Sequence, residues 1–214
     1  MALRNIRQYP NPCLREVSVA SEKDLQAVHD DLVDTLKVST GVGLAAPQIG
    51  INNRALVLKP SVVDMDNPDP SSRESDIWFL FDPVIKVKEG SQKIKWEEAC
   101  LSVPYVSGMI ERDTLISVEY KTIEGEKKSI DLSPPMSMIM QHEFDHLEGK
   151  LFIDRVKGMS KYMLMKKLRK RLSSEKKAIS EIRSSIHQEP SPGRSNLSKS
   201  KRKKLREKRK KKGR

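Results

Sequence analysis

Five residues, His142-Glu143-Phe144-Asp145-His146, constrain this 214-residue chain more than any other feature. Side chains four apart on a helix share a face, so both imidazoles can reach one cation. Glu143, beside the first of them, can hold a water against that cation and act as general base. The flanking sequence supports a helix. Ser133-Pro134-Pro135 offers a capping hydroxyl and prolines for the first turn, residues 136–148 continue it, and Gly149 is a stop signal. The bland alternative is two surface histidines with an incidental acid between them. Whatever fold the chain adopts must turn this helix face inward and bring further donors to it.

The motif alone suggests a zinc endopeptidase, whose third ligand is a Glu or His further downstream. Here Glu148 lies too close to fold back, and the next histidine is His187, in a segment read below as tail. Upstream stands Cys100, within Glu98-Ala99-Cys100-Leu101-Ser102. A thiolate with two imidazoles leaves one coordination position for water, as a catalytic site requires. Otherwise a lone buried cysteine is inert packing. Cys13 and Cys100 are the two cysteines, a poor disulfide framework for this length, which points to a reducing cytosol.

A third piece is Gly41-Val42-Gly43-Leu44-Ala45-Ala46-Pro47-Gln48. Two glycines two apart permit unusual backbone angles or the close approach of another chain. The run leads to a single side-chain amide, Gln48. Neither the Walker nor the dinucleotide glycine pattern is complete, which argues against a phosphate loop.

Around these pieces, Leu25, Val28, Leu32, Val33 and Leu36 fall at helical spacing within residues 23–38. Residues 54–59, 77–88, 114–121 and 127–132 read as strands, rich in β-branched and aromatic side chains, and Leu-Phe-Ile at 151–153 is strand-like. Residues 64–75 read as a polar surface loop. Strands followed by one late helix predict an α+β domain of mostly antiparallel sheets around a C-terminal metal-binding helix. No run reaches the length of a membrane span, and the N-terminus has no signal-peptide pattern.

Charge divides the chain. From residue 155 onward there are 24 Lys and Arg against 4 Asp and Glu; before it there are 17 against 25. The expected organisation is a catalytic domain at 1–155, a basic amphipathic helix at 156–186 and a basic, disordered tail at 187–214. The helix carries a narrow stripe of Met165, Leu168, Leu172, Ile179, Ile182 and Ile186. A polyanionic partner suits the tail rather than the body.

Taken together, GVGLAAPQ (41–48), EACLS (98–102) and QHEFDHL (141–147) closely resemble the three motifs of the peptide deformylase family, in the family order. The resemblance runs from NPCLREVS (11–18) to LFIDR (151–155), about 70% of the chain. It implies hydrolysis of the N-formyl group of formylmethionine on nascent polypeptides, with release of formate. Cys100, His142 and His146 would hold a divalent metal, typically ferrous iron, with zinc, nickel or cobalt able to substitute. Glu143 would take a proton from the water activated there and pass it to the departing amine. The Gln48 amide and the Leu101 backbone N–H would stabilise the oxyanion, Gly43 would pair with the extended substrate, and Val42 and Met138 would line the methionine pocket.

Asp145 would fix its helix or orient a ligand, and Arg112 matches the family's later arginine. Two departures stand out. Ala99 replaces the glycine before the cysteine, a cost of about 1 kcal/mol only at positive φ. Ser107 occupies a region where the family often carries a peptide-binding arginine. Family members dock near the ribosomal tunnel exit through C-terminal extensions, so ribosomal RNA is the partner expected for the tail, and the protein is expected to be cytoplasmic, monomeric and free of the membrane. The rival readings are a zinc endopeptidase and an inactive deformylase-like adaptor that binds RNA.

Overall fold

The computed structural model describes residues 3–60 and 77–186. The expected loop at 64–75 and tail at 187–214 lie outside the described residues. The chain divides into two units, residues 1–169 and 170–214.

In the first unit the elements run α1 (Leu25–Val38), β1 (Gly43–Ala45), β2 (Ala55–Leu58), β3 (Trp78–Val87), β4 (Lys93–Cys100), β5 (Val103–Asp113), β6 (Ile116–Lys121), β7 (Lys127–Leu132), α2 (Met136–Leu147) and α3 (Phe152–Arg155). The helix α4 (Gly158–Ile186) begins in this unit and continues into the second. Strands β1, β2, β3, β6 and β7 form a five-stranded sheet in that order, and β4 pairs with β5 in a separate two-stranded sheet. Every pairing is antiparallel. The α+β expectation holds.

Alternation along the strands explains the layering. On β2, Ala55 and Val57 pack with Val28, Leu32 and Leu36 of α1, while Leu56 and Leu58 pack with Met140 and Leu147 of α2. Both faces of the large sheet are therefore covered by helix, and the run ALVL is buried throughout. Side chains such as Leu32, Leu56, Leu58 and Met140 are fully buried. Each contributes roughly 1.5–3 kcal/mol by leaving water.

Helix α2 ends in a Schellman arrangement. The Lys150 N–H bonds the Asp145 carbonyl at 2.8 Å and the Gly149 N–H bonds the His146 carbonyl at 3.2 Å. Gly149 takes φ +64°, and a Cβ there would lie 2.5 Å from the Arg15 carbonyl oxygen, so glycine is required on both counts.

Three local expectations need correction. Leu-Phe-Ile at 151–153 is not a strand: Leu151 is extended, and Phe152 opens α3. Asp154 accepts the Leu151 N–H at 2.9 Å and so starts a helical turn, which a three-residue apolar run cannot distinguish from a strand. The Ser133 hydroxyl makes no cap to α2. Pro134 and Pro135 have no N–H to donate to it, and the Ser133 carbonyl instead accepts the Ser137 N–H at 2.9 Å. Finally, β4, β5 and β1 carried no strand expectation at all.

On α4, Leu164 and Leu168 are buried in the first unit, whereas Ile179 and Ile182 are exposed in the second. Of the predicted stripe, Leu168 is therefore buried while Ile179 and Ile182 are not.

Candidate metal centre

Cys100 ends β4, at a register shift between Ala99 and Cys100 that breaks the regular pairing with β5. Such irregularities re-aim side chains beside functional sites. His142 and His146 lie one turn apart on α2, both turned into the interior. The one potential ligand atom of each residue lies within 4.8 Å of the others, the single grouping of this kind among the described residues. Cys100 Sγ is 3.3 Å from His146 Nε2.

The residues behind this cluster orient it. His142 Nδ1 bonds Glu98 Oε2 at 2.6 Å, which leaves Nε2 for the cavity. Arg112 of β5 grips Glu98 through Nε and Nη2 at 2.7 and 3.0 Å, and reaches Asp145 through Nη1 at 2.6 Å. Arg155 closes the far side of Asp145 through two bonds, with Nε at 2.5 Å from Oδ2. The chain Arg155–Asp145–Arg112–Glu98–His142 therefore runs from the end of α3 to a ligand. Phe152 stacks on the His142 ring, centroids 6.4 Å apart.

Electrostatics divide the two histidines. Burial pushes His146 well below its ordinary value, with the nearby His142 and Arg112 charges adding to the effect, so its lone pair stays free to coordinate. Burial also lowers His142, but hydrogen bonds to Cys100 and Glu98 overcome it and hold the group well above the usual imidazole range. For Glu98, burial acts upward, yet bonds from His142 and Arg112 win and keep the carboxylate ionised.

Glu143 is buried as well. Burial raises its carboxyl to about 7, with Glu98 adding to the rise and His142 and Arg112 opposing it. Its Oε2 is buried without a hydrogen-bond partner. A thiolate, two imidazoles and an unpaired buried carboxylate oxygen together suit a four-coordinate divalent cation carrying one water.

Gln48 follows β1 in a short 3₁₀ turn at Ala46–Ile49. Its Oε1 accepts the Ala45 N–H at 2.8 Å, while Nε2 points to Ser102 Oγ at 3.2 Å and Cys100 Sγ at 3.6 Å. Gly41 and Gly43 do not adopt positive φ. They serve close approach instead: a Cβ on Gly41 would lie 2.9 Å from Leu101 Cδ1, and one on Gly43 would lie 2.6 Å from Glu143 Oε1. Ala99 is likewise not at positive φ, so its methyl group strains nothing.

A cavity of about 600 Å³ joins these groups. Val42, Gly43, Gln48, Cys100, Leu101, Met138, His142 and Glu143 all line it, so nearly every residue singled out in the sequence meets in one place; His146 lies just behind. Sequence reasoning missed the supporting roles of Glu98, Ser102 and Arg155. Glu98 shares the Cys100 face of β4, two residues away, but the sequence carried no strand pattern there to reveal it. Ser102 and Arg155 left no local signal.

Residues 3–162 match the polypeptide deformylase family model. A peptide deformylase of Pelagibacter ubique is 38% identical over 173 residues, covering 79% of this chain and 95% of the relative. Peptide deformylase 2 of Vibrio cholerae is 37% identical over 177 residues, covering 81% and 98%. Among solved structures, the peptide deformylase of Legionella pneumophila superposes with a TM-score of 0.67 at 31% identity, covering 81% of this chain and 98% of that one. A peptide deformylase of Plasmodium falciparum gives 0.66 at 34% identity, covering 80% and 97%.

Proposed function

The chain belongs to the polypeptide deformylase family, and from that membership we propose that it hydrolyses the N-formyl group of formylmethionine on nascent polypeptides and releases formate. The observation that carries this reading is the meeting of Cys100, His142 and His146 within 4.8 Å, with the buried Glu143 carboxylate beside them.

Cys100 Sγ and the two histidines hold a divalent cation, ferrous iron by family likeness, with zinc, nickel or cobalt able to replace it. When bound, the cation supplies an activated water and polarises the formyl oxygen. Glu98, pinned by Arg112, keeps the His142 ring oriented for coordination. Glu143, raised to about 7 by burial, accepts the proton of the attacking water near neutral pH and returns it to the amine nitrogen that leaves.

Gln48 Nε2, beside Cys100 Sγ, and the Leu101 N–H donate to the oxygen as it gains charge. The β1 strand stands at the edge of the five-stranded sheet, so its outer side around Gly43 can take an extended peptide as a further strand. Val42 and Met138 line the methionine pocket. A formyl group is small, so a narrow site admits it and excludes internal peptide bonds.

The catalytic domain spans 1–155. The basic helix 156–186 and tail 187–214 tether the enzyme to ribosomal RNA through phosphate contacts, in a cytoplasmic monomer. No helix among the described residues is long and apolar enough to cross a membrane. Anaerobic assay of formate release from formyl-Met-Ala-Ser, with metal quantified in the same sample, tests the activity. Metal-loaded protein that releases no formate would refute it.

A further inference from the structure

The two oxyanion donors proposed above stand on separate turns. Gln48 sits in the 3₁₀ turn after β1, and Leu101 lies in the turn between β4 and β5. About fifty residues of chain separate them, so their spacing must be set by tertiary contacts. Residues 7–9, ahead of the short 3₁₀ turn Pro12–Arg15, make two such contacts. The Arg7 N–H donates to the Gln48 carbonyl at 2.7 Å, and the Tyr9 N–H donates to the Ser102 carbonyl at 2.8 Å. Two residues of chain reach at most about 7 Å. One short piece of backbone therefore ties the turn of the first donor to the residue beside the second.

Neighbouring contacts press the same segment onto the Gln48 turn. A Cβ on Gly50 would lie 2.7 Å from Arg7 Nε, and Cys13 Sγ lies 3.7 Å from the Pro47 carbonyl oxygen. On the cavity side, Gln48 Nε2 donates to Ser102 Oγ at 3.2 Å. The two turns are thus bridged twice, once by a buried side-chain pair and once by residues 7–9. Donors aimed at a developing charge act only if their placement is fixed before the charge forms. A displacement of about 1 Å can lower a rate about 10²-fold. Neither Arg7 nor Tyr9 lines the cavity, so both act through the residues they hold.

We propose that the backbone of residues 7–9 is a positioning strap that sets the separation of the Gln48 amide and the Leu101 N–H for the transition state. The inference rests on the deformylase reading and adds positioning groups to that site. The strap works through the peptide N–H groups of Arg7 and Tyr9 rather than through their side chains. Its loss therefore lowers kcat and leaves peptide binding and the metal in place.

Arg7→Pro removes the N–H and Arg7→Ala keeps it, so the pair separates the bond from the side chain. On formyl-Met-Ala-Ser, kcat of Arg7→Pro is expected about 10- to 100-fold below that of Arg7→Ala, with KM within about threefold and bound metal unchanged. Insertion of one glycine after Gln8 keeps both N–H groups but lengthens the link by about 3.5 Å, and kcat should fall on the same scale relative to wild type. The insertion decides the matter if the proline variant does not fold. A folded variant of either kind with kcat within about twofold of its reference overturns the proposal, and so does a loss carried by KM. Amide exchange in the metal-free protein reads the strap without turnover. The Gly50 and Ile51 N–H groups close the Gln48 turn onto the Pro47 and Ala46 carbonyls at 3.0 and 3.1 Å. Both should exchange about tenfold faster in Arg7→Pro than in Arg7→Ala, and equal exchange overturns the strap. Absence of formate from the wild-type enzyme would instead overturn the deformylase reading, while exchange still reports whether residues 7–9 hold the turn.

Discussion

Gly43 and Glu143 are in such close contact that a Cβ on the glycine would lie 2.6 Å from the glutamate Oε1 and 2.7 Å from its Cγ. The strand edge proposed to receive the peptide and the carboxylate proposed to move the proton therefore fix each other's position. Gly43→Ala should push Glu143 out of place. The expected result is a fall in kcat of about 10²-fold or more, the scale of a general base removed, with bound metal retained. Metal analysis alongside steady-state kinetics checks this.

Glu143→Ala should likewise keep the metal and abolish turnover, because the residue is no ligand. Retention of more than about a tenth of wild-type kcat would remove Glu143 from the role of base.

Burial of the same carboxylate should also show in stability. In the metal-free protein the folded-state pKa is about 7 against 4.5 for the exposed group. Between those values the folded state holds a proton that the unfolded state has released, so stability falls as pH rises from 4.5 to 7 and the deficit is complete above 7. Glu143→Gln lacks that titration. Metal-free Glu143→Gln should therefore gain on metal-free wild type across this window, by an amount on the order of 3 kcal/mol at its upper end. Urea melts at pH 4.5 and pH 8 measure the gap, and an unchanged gap would contradict the assignment.

Arg112 is buried between Glu98 and Asp145. Arg112→Met leaves the buried Glu98 carboxylate without its guanidinium, while Asp145 keeps Arg155, and should cost about 3–5 kcal/mol. Glu98→Gln is gentler and should weaken metal affinity about 10- to 100-fold by releasing His142. Denaturant melts and competition with a chelator report the two effects separately.

Deleting residues 170–214 leaves Leu164 and Leu168, which are buried, in place. The shortened enzyme should keep its activity on formyl-Met-Ala-Ser and sediment poorly with ribosomes. Ribosome binding of the full chain should fall steeply between 50 and 200 mM salt, as phosphate contacts require. Equal sedimentation of both forms would exclude the tether.

Legibility from sequence followed the range of the interactions. The α2 helix and its two histidines were readable because helix period, proline start and glycine stop are all local signals. Residues 127–132 read correctly as β7 for the same reason. By contrast β4 and β5 were hidden, since the buried faces of that hairpin carry Glu98 and Arg112 as well as apolar groups. A charged pair that is satisfied only across strands breaks the apolar alternation that identifies a strand. The three motifs pointed to one site, but the distances that join β4 to α2 are tertiary, and so is the chain of contacts from Arg155 to His142.

X-ray absorption at the metal edge of zinc-loaded protein tests the coordination sphere itself. One sulfur at about 2.3 Å and two imidazole nitrogens at about 2.0–2.1 Å are expected, with the sulfur lost in Cys100→Ser. A sphere of nitrogen and oxygen alone in the wild-type protein would contradict the account.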